Sequence, residues 1–337
     1  MLPKILKPKR DLQFYIEDFM EDCHIRGLSK KTLGSYEGTL KLFSKFLMEE
    51  YGTALLSEVK SEQIEEYIKF TKERGKYSYV SEDRTVKLNN PAGRKDFGKT
   101  VSDTTINNYI RNIKVFFNWA VNKRLIKKSP VKVQFVKTKR KAKEEITDLE
   151  FKALVQAIDT TKFSEYRDYV IIQLIMDTGM RLGETLALQC DDVDIERRSI
   201  LIPADITKGK KDRYVFFSNT MAGILRRWLQ YKDRYCNNDT LLFCTKHGTE
   251  VGVRCFERNF RIYKTRAGIG KNITPHGLRN NFARRALVSG MDIYTLSRIL
   301  GHSSVTVTEK AYLDLTVTDI RKNYQRFSPL ENMQRRW

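Results

Sequence analysis

Long apolar runs are missing from this 337-residue chain, and no stretch approaches the roughly 18 residues that a membrane-crossing helix needs. The basic start, Met1 to Arg10, lacks the apolar segment of a secretory leader. A membrane span and a cleaved signal are therefore excluded as readings, and a cytoplasmic or nucleoid-associated protein is expected. Cysteine is scarce and scattered. Cys23, Cys190, Cys236, Cys244 and Cys255 form an odd set with no Cys-x-x-Cys pair, which argues against a disulfide framework and for free thiols in a reducing compartment. A zinc set drawn from Cys236, Cys244, His247 and Cys255 lacks the close paired spacing such sites favour. Acidic residues are short as well: 41 Asp and Glu face 62 Lys and Arg, leaving a formal net charge of +21. A balance this basic needs a polyanionic partner, and nucleic acid is the first candidate.

What is present is enough apolar material for a core. Hydrophobic residues make up 41% and aromatics 11% of the chain, which fits a folded protein and fits disorder poorly. At roughly 100 to 200 residues per domain, the length predicts two. The basic excess is local: residues 101 to 146 hold 12 basic side chains, Arg111 through Lys143, against the acids Asp103, Glu144 and Glu145.

Helical periodicity dominates the first half. Leu12, Tyr15, Ile16 and Phe19 recur at helical spacing up to Gly27, and Ser29 caps a second helix with Leu33, Tyr36, Leu40, Phe43 and Leu47 on one stripe. A third helix is predicted over 61–74 and a fourth over 102–123. Between them, 75–99 reads as a long loop or a hairpin. The fourth helix turns Ile106, Ile110, Ile113, Phe116, Phe117 and Ala120 inward, leaving Asn107, Asn108, Arg111, Asn112 and Lys114 for an outward face suited to base edges. From Ser129 to Ile146 the pattern breaks into Lys-rich sequence, an extended basic linker that includes Lys139, Arg140 and Lys141.

Beyond it, helices are expected over 147–158 and 166–178, strands near 199–203 and 213–217, and helices over 222–231, 255–267, 275–288 and 291–300. Four segments there place polar groups where packing does not ask for them. In Asp177-Thr-Gly-Met-Arg-Leu-Gly-Glu, Gly179 ends a buried helix, Arg181 opens the next, and Glu184 stands one turn on, able to orient the guanidinium. Thr207-Lys-Gly-Lys-Lys-Asp-Arg forms a turn that presents Lys208, with Lys210 or Lys211 as substitutes. Thr274-Pro-His-Gly-Leu-Arg has a cap at Thr274, proline at the first helical position, and His276 and Arg279 three apart. In Leu300-Gly-His, Gly301 ends a helix and His302 begins a turn, followed ten residues later by Tyr312. Taken singly, each has a plain structural explanation: a surface ion pair, a solvated turn, a packed histidine, one tyrosine among 16.

In this order the segments resemble the tyrosine recombinase and phage integrase family. Its catalytic domain is marked by an Arg, a strand-turn Lys, a His-x-x-Arg, a Leu-Gly-His and a following Tyr. The resemblance implies a mainly α chain with a small β-sheet in the catalytic domain, arranged as a two-domain C-shaped DNA clamp. Its expected parts are a helical, SAM-like core-binding domain over 1–130, a basic linker over 131–146, a catalytic domain over 147–312, and a tail over 313–337 that docks on a neighbouring protomer. No added arm-site DNA-binding domain is expected before the first, although 75–99 is longer than a minimal core-binding domain needs.

The implied activity is cutting and rejoining of DNA through a 3′-phosphotyrosine and a Holliday junction. Tyr312 is the nucleophile, Arg181, Arg279, His276 and His302 act on the phosphate, and Lys208 is the general acid. Lys30, Lys31, Asn107, Asn108, Arg111, Lys139, Arg140 and Lys141 are DNA-contact candidates, and Glu184 supports Arg181. The implied partners are double-stranded recombination sites, a homotetramer on DNA and room for an accessory excision factor. No metal or cofactor is implied, and the acidic run Asp191, Asp192 and Asp194 reads as a solvated turn. Mobile-element integration and excision is the favoured task. A catalytically inactive DNA-binding regulator of the same fold and a type IB topoisomerase are the competing readings.

Overall fold

The computed structural model describes residues 10–80, 92–138, 144–207, 209, 211–236, 240–302 and 304–312. The chain divides into two compact units, Met1–Arg140 and Lys141–Trp337. No helix among the described residues is long and apolar enough to cross a membrane.

The first unit is built from α1 (Leu12–Ile25), α2 (Lys30–Tyr51), α3 (Ser61–Glu73) and α4 (Asp103–Asn122). Short polar side chains start three of them: Asp11 accepts from the Phe14 amide, Ser29 from Thr32 and Ser102 from Thr105, each satisfying a donor that the helix itself leaves open. The core is aromatic. Phe19 meets Phe116 edge-on at 5.5 Å between ring centroids, and Phe43 lies 5.1 Å from Tyr67, contacts that add to the large apolar area these rings bury.

Two asparagines of α4 depart from the expected outward face. Asn112 is buried, and its amide nitrogen donates to Ser35 O, Ser35 Oγ and Thr39 Oγ1 of α2. Asn107 donates to the carbonyl of Val136 at 2.9 Å and accepts from the amide of Val136 at 2.8 Å. Both bond helix to chain because a buried amide without partners costs more than the pairing yields. Val131, Val133 and Val136 pack on this helical core, so the stretch expected to begin the linker is laid against α4 through Val136. The loop after α3 closes at its base, where Lys76 N donates to Lys99 O and Gly98 N to Lys76 O; residues 81–91 lie outside those described.

The second unit contains α5 (Asp148–Gln156), α6 (Phe163–Thr178), α7 (Leu182–Leu186), β1 (Val193–Asp194), β2 (Ser199–Ile202), β3 (Arg213–Phe216), α8 (Asn219–Tyr235), α9 (Val253–Arg266), α10 (Pro275–Val288), α11 (Ile293–Leu300) and α12 (Val305–Tyr312). The strands form an antiparallel sheet in the order β1-β2-β3, with Ile200 opposite Val193 on one side and Val215 on the other. α6 is apolar nearly all round and runs through the core against α8 and α10, as expected of a helix with no polar face. Its three buried charges are paired within the unit. Arg167 donates twice to Asp168, which also accepts from Asn259 and from the Tyr263 hydroxyl of α9, and Glu165 accepts from Arg266.

β1 and α12 had not been expected. The acidic run shapes the first of them: Asp192 accepts from the Gln189 amide and Asp194 from the Arg197 amide, closing the turns on either side of the β1 strand. Ile146 is anchored to α10, its amide donating to Asn281 Oδ1 and its carbonyl accepting from Arg285.

Candidate active site

Two left-handed glycines set the geometry. Gly179 ends α6 at φ +69° and Gly301 ends α11 at φ +63°, a conformation that L side chains adopt only at a cost. Space is the second reason. A Cβ on Gly179 would lie 2.3 Å from the Phe282 ring, and one on Gly301 would lie 2.9 Å from Cδ and Nε of Arg213. Both helices therefore end with bare carbonyls close to arginine side chains.

Those carbonyls take the guanidinium groups. Arg279, 2% exposed on α10, donates to Gly179 O at 2.8 Å and to Leu300 O at 2.7 Å. Arg181, which precedes α7, donates to Gly301 O at 3.2 Å and to Glu184 Oε1 at 2.7 Å. Arg213, at the start of β3, reaches Ile299 O at 3.1 Å and grips both oxygens of Glu184, at 3.1 and 2.6 Å. The negative ends of two helix dipoles thus hold three permanent cations.

Glu184 is buried and shared between Arg181 and Arg213. Burial pushes its carboxyl pKa up, but Arg213 and then Arg181 outweigh that and hold it below the usual carboxylate range. Glu184 bonds Arg181 as expected, and Arg213 makes the pair a triad around a buried carboxylate. Two guanidiniums meet this single carboxylate, and the third, Arg279, rests on helix-end carbonyls, so the cluster carries positive charge that an anion can neutralise.

His302 joins the group. Arg279 Nη2 stands 3.2 Å from His302 Nε2, and Thr308 Oγ1 lies 2.7 Å from His302 Nδ1. A guanidinium can only donate, so this contact makes Nε2 the acceptor and assigns the ring proton to Nδ1, facing Thr308. Burial first, then Arg279, Arg181, Arg213 and His276, lower the His302 pKa to about 4. The ring is neutral near pH 7. His276 is exposed in the first turn of α10, behind the Thr274 cap, and near enough to act on His302 electrostatically.

The turn between β2 and β3 is clamped at its base. Thr207, buried, donates to Ala204 O and accepts from the Lys211 amide, and Asp212 accepts from the Ala204 amide. Lys208 and Lys210 lie outside the described residues; Lys211 is exposed. Tyr312 closes α12, one turn beyond Thr308.

The sequence matches two family descriptions: the phage integrase family over residues 144–318 and the phage integrase SAM-like domain over residues 11–141. The chain belongs to the phage integrase family. This integrase-family chain is 26% identical to the tyrosine recombinase XerD of Staphylococcus haemolyticus, over 94% of its own length and 99% of that protein's. It is 27% identical to the tyrosine recombinase XerC of Thermodesulfovibrio yellowstonii, over 94% and 97%. Its fold is that of the Tn1549 transposon integrase solved with circular intermediate DNA, at TM-score 0.67 and 20% identity over 91% and 97% of the two chains. A λ integrase dimer bound to a COC′ core site aligns at TM-score 0.65 and 16% identity over 90% and 77%. The family resemblance, the mainly helical fold with one small sheet, and an enzyme class that cuts and rejoins DNA stand on these likenesses together.

Of the residues expected at the site, the structure gathers Arg181, Glu184, Arg279 and His302, with His276 at its edge. Sequence reasoning missed Arg213 and Thr308. Arg213 carried a signal: it alternates with Val215 and Phe217, both buried, which puts an arginine on the inward face of a strand. Thr308 carried none, because no element was expected between the turn at His302 and Tyr312. In the first unit, Lys30 and Lys31 are exposed at the first turn of α2, and Asn108 and Arg111 are exposed on α4, bonded to each other at 2.8 Å. Asn107, committed to Val136, leaves the set of open base readers. Lys139, Arg140 and Lys141 lie outside the described residues.

Proposed function

We propose that this recombinase cuts and rejoins double-stranded DNA at specific sites through a 3′-phosphotyrosine on Tyr312. The observation that carries the reading is the cluster of Arg181, Arg279 and His302 at the bare ends of α6 and α11, with Glu184 and Arg213 behind it. Attack by a tyrosine hydroxyl builds charge on the non-bridging oxygens of a phosphodiester. Two guanidiniums can take that charge bidentately, which an ammonium cannot. His276 accepts the tyrosine proton and His302 adds a hydrogen bond to the phosphate. Lys208 protonates the departing 5′ oxygen, and Lys210 or Lys211 replaces it if it does not reach. The covalent link keeps the bond energy for religation, so no nucleotide is spent.

Lys30, Lys31, Asn108, Arg111, Lys139, Arg140 and Lys141 are the proposed DNA contacts of the first unit and of the chain that follows it. Four protomers act on paired sites by way of a Holliday junction, with 313–337 of each docked on a neighbour. The biological task proposed is integration and excision of a mobile element in the cytoplasm, with an accessory excision factor biasing direction. Two defined sites, rather than one supercoiled circle, are then required for product.

The experiment uses a nicked duplex carrying a site found by footprinting the DNA that flanks the gene. Wild-type protein is expected to form a covalent adduct that persists in EDTA, and Tyr312→Phe none. Absence of adduct from both would overturn the reading in favour of a DNA-binding regulator of the same fold.

A further inference from the structure

Thr308 has no part in the chemistry proposed above, yet it is fully buried at the candidate site with its hydroxyl 2.7 Å from His302 Nδ1. It sits on α12, one turn before Tyr312. The other ring nitrogen faces Arg279 at 3.2 Å. With the guanidinium donating, Nε2 offers a lone pair. A phosphate oxygen also offers only lone pairs, so the ring as it stands cannot bond to it.

We propose that Thr308 is a positioning residue that holds the His302 ring in place while the ring moves its proton from Nδ1 to Nε2 as a phosphate enters. The inference rests on the reading of this cluster as a phosphate site. Nδ1 gives its proton to solvent and Nε2 takes one from solvent, so the ring stays neutral, and the Arg279 Nη2 hydrogen that faced Nε2 takes the phosphate oxygen as its acceptor in place of the ring. Simple protonation would leave both nitrogens as donors, but burial first, and then Arg279, Arg181, Arg213 and His276, oppose a positive charge on the ring. A hydroxyl can accept from one tautomer and donate to the other with no movement of heavy atoms. Thr308 therefore serves both states: it accepts from Nδ1–H without DNA and donates to bare Nδ1 with DNA. An apolar group of the same shape would leave Nδ1 buried without a partner in either state, which costs more than the bond itself is worth.

The test compares Thr308→Val, which keeps shape, with Thr308→Ser, which keeps the hydroxyl, in the full chain on the footprinted nicked duplex. Thr308→Val is expected to bind DNA within about twofold of wild type but to form adduct about tenfold more slowly at saturating DNA, with Thr308→Ser close to wild type. Nitrogen-15 spectra of the histidine rings give a second readout that needs neither cleavage nor the valine variant. His302 should carry its proton on Nδ1 in free wild-type protein and on Nε2 in the DNA complex. Wild-type adduct rates in Thr308→Val, or a His302 proton that stays on Nδ1 with DNA bound, would overturn the proposal. If Thr308→Val does not fold, the spectra of wild type and Thr308→Ser decide alone. If wild type forms no adduct, the recombinase reading fails, while the spectra still report whether the ring exchanges its proton.

Discussion

The two units bury polar groups in different ways. In the first, the buried polar contacts at the α2–α4 interface are neutral: Asn112 ties the two helices through Ser35 and Thr39, inside a core of edge-on and tilted rings. In the second, charges are buried: Glu184 between Arg181 and Arg213, Asp168 against Arg167, and Arg279 on helix-end carbonyls. A neutral amide loses little when desolvated if it is bonded, whereas a buried charge depends wholly on its partners. The second unit therefore holds its reactive groups in a network whose members fail together, and the first tolerates the loss of one bond.

Three substitutions test that contrast. The largest effect is expected from Glu184→Gln, which strips the counter-charge from Arg213 and Arg181 and should cost about 3–5 kcal/mol in urea unfolding of the second unit. The sign with pH follows from its carboxyl, held below the usual carboxylate range. That stability is present above the ordinary carboxylate pKa and lost as pH falls through the folded value, so wild type should converge on the variant in acid. A pH-independent gap between the two would break the argument.

Next comes Gly301→Ala, at φ +63° with a new Cβ 2.9 Å from Arg213. It should cost roughly 1–2 kcal/mol from the left-handed backbone alone and lower the adduct rate, because Arg213 has to move. An adduct rate equal to wild type would show that Arg213 is not needed where it stands. The smallest effect is Asn112→Ala, expected to cost about 1–2 kcal/mol and to leave the rate of adduct formation at saturating DNA unchanged. A slowed rate there would erase the distinction between the units.

Much of this was readable without coordinates. The stripes of α1 to α4 are regular enough to name the inward residues. The ordered marks from Arg181 to Tyr312 identified the family, and Gly179 and Gly301 were recognisable as helix ends. The errors have physical causes. Asn107 and Asn112 are polar residues on a predicted outer face, and only the packing of α2 and the return of residues 131–136 along α4 turn them into structural bonds. Residues 303–312, Ser-Ser-Val-Thr-Val-Thr-Glu-Lys-Ala-Tyr, are rich in β-branched side chains with weak helix propensity. α12 forms where Thr308 is buried against His302, a contact outside any local window.

By itself the sequence determined the helical class and the basic character, because period and charge are local properties, and its ordered motifs carried the family resemblance that named the candidate site residues. Tertiary structure alone decided how they are used. It made Glu184 a buried carboxylate shared by two arginines, brought Arg213 into the cluster, and set the His302 proton by placing Arg279 on one side of the ring and Thr308 on the other. Those outcomes depend on groups far apart in the chain meeting at hydrogen-bond distance, where desolvation makes each partner's identity decisive.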